Sequence, residues 1–300
     1  MRERFEIKFD EKAKLVVYKW TNSNVKTIGC VQIAHGLSEH VTRYDAFANF
    51  LADHGFTVLA EDHYQHGESA EDLETLGQIN DYDFIDAVIK SIKLVREEWD
   101  ACFTGTRVLF SHSMGSISTQ SYIQQYPDDF DKVILSGTDV GDFRYQMLKI
   151  ITKKSYQKKD TSSSSKLVHQ LTFGGFQKKF DEPGEFNWLS KNQKNVETYQ
   201  EDPLCGAPVA DKTYHSIANY LINSYKMKNI KKINSKTKIF IFSGAEDPVS
   251  NFGKSVRKLS KRYTKAGLDV KMKLYPSLRH ETLNEIEYQE IFDDILKFIR

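Results

Sequence analysis

The sequence predicts an α/β architecture, with a mostly parallel central sheet, helices on both faces and an inserted helical region. Three observations predict it. Short, near-continuous apolar runs such as Ile28 to Ala34 (IGCVQIA) mark strands buried on both faces of a sheet. These runs alternate with segments of helical periodicity, as in Tyr82 to Trp99, where Ile85, Val88, Ile89, Ile92 and Val95 share one face. Between Thr138 and Ser235 the alternation stops, replaced by lysine clusters, a serine run (Ser162 to Ser165) and the pair Gly174-Gly175. Residues 1–137 and 236–300 are therefore expected to form the sheet-bearing core, and 138–235 a cap inserted on top of it.

Taken in order, Phe5 to Phe9 and Leu15 to Trp20 read as a hairpin around Asp10-Glu11-Lys12. Ile28 to Ala34 is a strand that ends in His35-Gly36-Leu37-Ser38-Glu39-His40. Arg43 to His54 then carries Phe47, Phe50 and Leu51 at helical spacing. Phe56 to Ala60 is the next strand and Asp62 to Ser69 (DHYQHGES) its loop, followed by the helix over Tyr82 to Trp99. Val108, Leu109 and Phe110 form a further strand, after which helix-compatible residues run to a stop at Pro127. Lys132 to Leu135, Lys238 to Phe242 and Val270 to Leu274 complete the strands, with late helices over Val249 to Lys265 and Asn284 to Ile299. No internal repeat is visible.

Composition bounds what the chain does. Its 300 residues, 40% hydrophobic and 12% aromatic, can bury the core of one large domain or two small ones. With 42 basic against 41 acidic side chains the net charge is +1, which supplies no global electrostatic argument for nucleic acid as a partner. Cys30, Cys102 and Cys205 are odd in number and scattered, a pattern of neither a disulfide framework nor a metal-ligand spacing. The N-terminal MRERFEIKFDEKAK is charged throughout and no later run approaches the length of a membrane span. The expectation is a soluble, cytoplasmic protein, with peripheral contact at a membrane left open.

The chemistry centres on Ser111-x-Ser113-x-Gly115, which lies where a strand passes into a helix. A sharp turn that lifts a nucleophilic hydroxyl clear of a sheet needs small residues two before and two after it. A serine hydroxyl is a poor nucleophile at neutral pH. It requires a histidine base, which in turn requires a carboxylate to orient it. Asp247, in the loop Ser243-Gly244-Ala245-Glu246-Asp247-Pro248, and His280, in Pro276-Ser277-Leu278-Arg279-His280-Glu281, follow the last two strands. The chain order Ser113, Asp247, His280 is that of an α/β-hydrolase triad. Asp139 and Glu246 are competing acids, and His35, His40, His63, His66 and His112 also sit near strand ends, where ordinary structural hydrogen bonds account for them. A tetrahedral oxyanion needs two donors, here expected from the backbone N–H groups of Met114, next after the serine, and Leu37, in the glycine loop.

Seven motifs, HGLSEHVTRY, DHYQHGES, FSHSMGS, FNWLS, EDPLCG, SGAEDPVS and YPSLRHETLNE, together resemble the monoacylglycerol lipase and lysophospholipase family of serine α/β-hydrolases over nearly the whole chain. The resemblance implies an α/β-hydrolase fold with a helical cap and no metal or organic cofactor. It also implies a monoacyl lipid ester or other small-molecule ester as substrate, with nucleophile, acid and base on Ser113, Asp247 and His280 and oxyanion amides on Leu37 and Met114. Two departures stand out: Ser111 and Gln65 each replace a glycine of the family pattern. The same core also supports short-chain carboxylesterases and proline-type aminopeptidases, and a non-catalytic ligand-binding relative is the alternative from another class. In the inserted region, Phe143, Tyr145, Met147, Leu148, Phe173, Phe176, Phe186 and Trp188 could line an acyl channel or form the cap's own small core. Lys149, Lys153, Lys154, Lys158, Lys159 and Lys166 form a basic cluster, either a solvated face or a contact for anionic headgroups of a membrane surface.

Overall fold

An antiparallel hairpin, β1 (Arg2–Lys8) and β2 (Lys14–Trp20), opens the chain in the computed structural model, which describes residues 1–102, 105–158 and 165–300. Lys159, Ser162 to Ser164 and the side chain of Phe173 lie outside the described residues. β3 (Gly29–Ala34), β4 (Phe56–Glu61), β5 (Thr106–His112), β6 (Lys132–Ser136), β7 (Lys238–Gly244) and β8 (Asp269–Tyr275) join the hairpin in one eight-stranded sheet. Its order is β1-β2-β4-β3-β5-β6-β7-β8. β2 pairs antiparallel with β4, and every later pairing is parallel. All six residues of β3 and of β4 are buried, the outcome of their unbroken apolar runs. β8, at the edge, alternates charged Lys271 and Lys273 with apolar neighbours, which blunts pairing with another chain.

Helices cover both faces. On one side lie α1 (Asp45–Asp53) and, at the C-terminus, α11 (Tyr288–Ile299), packed on Phe110, Phe240 and Phe242 of the sheet. On the other side lie α2 (Phe84–Glu98), α3 (Met114–Gln125) and α10 (Lys254–Lys265). α2 begins where Asp83 accepts the Ile85 N–H, an ordinary side-chain cap. The late helices start later than their periodicity suggests. Val249 to Gly253 is a turn organised by Ser250 and Asp247, and residues 282–284 form a short 3-10 turn before α11.

α3 is polar and yet buried from Met114 to Gln124. Its small side chains satisfy themselves locally: Ser116 donates to the Ser113 carbonyl and Ser118 to that of Met114. Gln120 donates to the Asp139 carbonyl and Gln124 to that of Ser224. A helix with no apolar stripe can therefore run through the interior with most of its buried polar groups paired, the Thr119 hydroxyl and the Gln120 carbonyl oxygen being the exceptions.

Between β6 and β7 there is no strand among the described residues. Six helices follow one another there: α4 (Phe143–Gln157), α5 (Lys166–Leu171), α6 (Phe173–Gln177), α7 (Gln193–Glu201), α8 (Asp211–Ser224) and α9 (Met227–Ile230). α4 and α8 pack together, and α8 also rests on α2 and α3. Among the described residues no helix is long and apolar enough to cross a membrane.

Candidate active site

Parallel strands deliver their loops to one edge of the sheet, and ligand sites in such folds form beyond the carboxyl ends. Ser113 is the single residue between the end of β5 and the start of α3, with φ 51° and ψ −120°. A left-handed φ on a non-glycine residue is strained by about 1–3 kcal/mol. It is held there by the Ser113 N–H donating to the Ser136 carbonyl at 2.9 Å and by Ile117 N–H donating back to Ser113 O at 3.0 Å. At Gly115 a methyl group would stand 2.4 Å from the carbonyl oxygens of both Ala34 and His35, so only glycine fits. Ser111, where the family pattern has glycine, is fully buried and donates its hydroxyl to the Ile134 carbonyl at 2.9 Å, which ties the turn to β6.

His280 and Asp247 arrive from the loops after β8 and β7. His280 Nε2 lies 2.8 Å from Ser113 Oγ, and His280 Nδ1 lies 3.0 Å from Asp247 Oδ1. Asp247 also accepts the Ser243 hydroxyl at 2.5 Å and the Val249 N–H at 2.9 Å. Burial by itself would raise the Asp247 carboxyl, but the His280 charge and these hydrogen bonds outweigh it and hold the group below its ordinary value. For His280 burial pulls downward while the Asp247 carboxylate pulls upward and wins, leaving the imidazole above its ordinary 6.5. The ring is flanked by His112, 4.6 Å away between centroids, and Trp188 at 5.3 Å. Burial, with the neighbouring His280, pushes His112 down to about 3, so it stands there neutral. Asp139 is turned away, engaged with Arg144 and Tyr145, and Asp247 rather than Glu246 makes the contact with His280.

The loop after β3 passes over the serine: a methyl on Gly36 would come within 3.3 Å of Ser113 Cβ. Its shape is set by buried Glu39, which accepts the Gly36 N–H at 2.6 Å, the Tyr44 hydroxyl at 2.8 Å and Arg43 at 2.8 Å. Arg43 also forms a two-pronged pair with Glu281, both contacts 2.7 Å. Burial would raise Glu281, and the Arg43 charge instead takes it down to about 2. Leu37 follows Gly36 and lines the cavity. Its N–H has no intramolecular partner among the described residues, and Met114, as the first residue of α3, has one of the amides a helix start leaves free.

These groups face a cavity of about 420 Å³. Leu37, His112, Ser113 and His280 form its floor, and His169, Gln177, Phe186, Trp188, Leu189 and Tyr214 its walls and roof. Of the five strand-end histidines only His112 reaches it. His35, His63 and His66 form a buried cluster behind, and His40 pairs with Asp202. Of the aromatic and aliphatic residues considered for an acyl channel, Phe186 and Trp188 line the cavity. Leu148 packs with Val168 and Tyr214, Phe176 with Trp188, and Phe143 is 70% exposed. Glu39, Arg43, Tyr199, His169 and Glu281 were not singled out by sequence; the charged pair flanking two motifs, Arg43 in HVTRY and Glu281 in RHETL, was the available signal.

Comparison with known proteins matches this architecture. The family model described as serine aminopeptidase S33 (Hydrolase_4) matches residues 26–287. A monoacylglycerol lipase of Mycolicibacterium smegmatis is 25% identical over 284 residues, 95% of this chain and 92% of that protein. A thermostable carboxyl esterase from Bacillus coagulans, solved in complex with glycerol, superposes with a TM-score of 0.89 at 24% identity, covering 99% of this chain and 97% of the other. A soluble variant of the Saccharomyces cerevisiae monoglyceride lipase, solved with a substrate analogue, gives a TM-score of 0.75 at 18% identity, covering 99% and 94%. With its sheet order, its inserted helices and a family match across most of its length, the chain belongs to the Hydrolase_4 family of α/β-hydrolases, the monoacylglycerol lipase family its motifs resemble.

Proposed function

We propose that the protein is a serine esterase that hydrolyses monoacyl lipid esters, monoacylglycerols or lysophospholipids, with Ser113 as nucleophile, His280 as general base and acid, and Asp247 as its orienting carboxylate. The observation that carries this is the continuous chain of contacts Ser113 Oγ, His280 Nε2, His280 Nδ1, Asp247 Oδ1, opening into a cavity that is mostly apolar above the serine. Relatives named as monoacylglycerol lipases support the choice of substrate class.

In the proposed reaction Ser113 Oγ attacks the ester carbonyl while His280 Nε2 takes its proton. The negative charge that develops on the carbonyl oxygen is received by the N–H groups of Leu37 and Met114, each donor contributing about 3–4 kcal/mol to the transition state. Asp247 stabilises the imidazolium, the state that the raised His280 already favours. The tetrahedral species collapses, His280 protonates the leaving alcohol, and the acyl group stays on Ser113. Water then gives its proton to His280, attacks the acyl carbonyl and releases the fatty acid as the proton returns to Ser113.

Residues 138–235 act in this reading as the cap that selects the acyl group. On its outer side α4 and α5 expose Phe143, Met147, Ile150, Leu167 and Leu171 among Lys153, Lys154, Lys158 and Lys166. Exposed apolar groups ringed by cations fit a transient seat on an anionic membrane surface, from which a monoacyl lipid would enter.

The test is turnover by the purified protein of p-nitrophenyl esters with chains of two to sixteen carbons, beside monoacylglycerol, lysophosphatidylcholine and a proline amide. Release of fatty acid from a monoacyl lipid, with medium or long chains preferred, is the expected result. Activity confined to the shortest esters would replace the lipid reading with a carboxylesterase, proline amide cleavage would make the protein an aminopeptidase, and failure of Ser113 to take up a fluorophosphonate probe would remove the catalytic assignment.

A further inference from the structure

Cys205 has no metal-ligand spacing in the chain, yet the fold supplies its partners. The segment Asp202-Pro203-Leu204-Cys205 after α7 is a tight turn: Cys205 N–H donates to the Asp202 carbonyl at 3.0 Å, and Leu204 N–H to Asp202 Oδ1 at 2.9 Å. The second bond engages one carboxylate oxygen and leaves Oδ2 to point at His40, whose Nε2 is 2.8 Å away. His40 belongs to the loop after β3. The ligand atoms of His40, Asp202 and Cys205 all lie within 4.8 Å of one another. We propose that these three side chains bind one divalent transition-metal ion of the zinc class, at a site distinct from the catalytic serine.

The donor set is the first argument. One imidazole nitrogen, one carboxylate oxygen and one thiol sulfur suit a borderline-soft ion and exclude magnesium or calcium, which take oxygen ligands. Tetrahedral bonds of 2.0 to 2.3 Å place donors about 3.3 to 3.6 Å apart, so His40 and Asp202 must separate slightly and Cys205 close in. Three protein ligands leave the fourth position to water.

The surroundings are the second. Thr42 Oγ1 lies 2.9 Å from His40 Nδ1: with no ion bound Nε2 donates to Asp202, and once an ion takes Nε2 the Thr42 oxygen is placed to accept the Nδ1–H bond and hold that tautomer. Next to the site, Arg43 is matched by two carboxylates, Glu39 and Glu281, so with Asp202 the neighbourhood carries an excess of negative charge. The His40 side chain is 8% exposed and that of Asp202 26%, so the ion has a way in from solvent. On binding, the imidazole carries its proton on Nδ1, the thiol loses its proton to solvent, and the metal takes the sulfur lone pair.

Such an ion would join the loop that carries Leu37 to the segment after α7. Those two pieces already meet: Gly206 N–H donates to the Ser38 carbonyl at 2.9 Å, and the Ser38 hydroxyl to that of Ala207 at 3.0 Å. Bound metal would make this junction less free to open.

Cobalt titration of the chelator-treated full-length protein tests the site. We expect one equivalent of cobalt to develop the near-ultraviolet charge-transfer band of a thiolate ligand, displaced by zinc, and zinc in hundredfold excess over its Kd to raise Tm by a few degrees. Cys205→Ser should lose the band and bind zinc at least tenfold more weakly, while Cys102→Ser keeps both. A wild-type protein without the band, or a band that survives in Cys205→Ser, overturns the proposal. Alkylation by iodoacetamide followed by mass spectrometry tests it without a variant: zinc should slow modification of Cys205 at least tenfold, and an unchanged rate also overturns it.

Discussion

The segment between β6 and β7 has two halves of different character. Residues 186–209 are sewn to the catalytic loops: the Tyr199 hydroxyl donates to the Ser38 carbonyl at 3.0 Å, and Glu281 N–H to Leu189 O at 2.7 Å. The Arg279 side chain donates to the Asn187 carbonyl, and Asn195 shares Glu281 with Arg43. α4 to α6 make few such ties and instead leave Phe143 and Ile150 two-thirds or more exposed. One half is tied to the catalytic loops, and the other, which lends only His169 and Gln177 among its described side chains to the cavity, turns its remaining face to whatever lies outside. A single insertion between two strands can serve chemistry and surroundings separately because each half answers to a different set of contacts.

Substitutions separate these halves by size of effect. The reference is Ser113→Ala, expected to lower kcat on monoacylglycerol by on the order of a millionfold. Asp247→Asn keeps the contacts but removes the charge that orients and stabilises His280, and should lower kcat by about 10⁴-fold. It also moves the acid limb of the kcat/KM profile. Activity requires neutral His280, so in the wild type it falls as pH drops through a value above 6.5. Without the Asp247 carboxylate, burial of the imidazole is opposed only by the weaker pull of Glu281 and Glu39, and the limb shifts to lower pH; an unmoved limb would deny Asp247 its electrostatic part.

In the sewn half, Tyr199→Phe removes one of the two donors to the Ser38 carbonyl and leaves Gly206 N–H in place, so it should lower stability in urea by about 0.5–1.5 kcal/mol, with a several-fold loss in kcat and little change in KM. A change in KM alone would mean that Tyr199 touches substrate rather than holding the loop. The smallest effect belongs to the outer half: Ile150→Asp should change stability by less than about 0.5 kcal/mol and leave p-nitrophenyl acetate turnover intact. Sedimentation with anionic vesicles should nevertheless weaken, and equal loss on vesicles and on the soluble ester would erase the distinction between the halves.

How much of this could be read beforehand follows the same division. The strands were legible because burial on both faces forces unbroken apolar runs, and the spacing from Ser113 to Asp247 to His280 was legible because the loops follow those strands. The tie of Arg43 to Glu281 was not, since it joins positions 238 residues apart and leaves only single charges in the sequence. α4 to α6 were illegible as helices for a physical reason. α5 and α6 are short, and α4 buries only Leu148 and Thr152 within its 15 residues, so no periodic stripe announces it. Ser111, which in the sequence is only a departure from the family pattern, is a hydrogen-bonded part of the turn.

The burial of α3 has a kinetic meaning. Its amides lie in the middle of the molecule, between the sheet and α8, where hydrogen exchange is expected to need the opening of the whole domain. The unfavourable φ of Ser113 is anchored to the start of that helix. A strained turn at a loop tip could relax by a local fluctuation, at a free energy far below that of global unfolding. Here relaxation would require disturbing a helix buried from Met114 to Gln124, so the serine is expected to keep its geometry for as long as that helix stays packed.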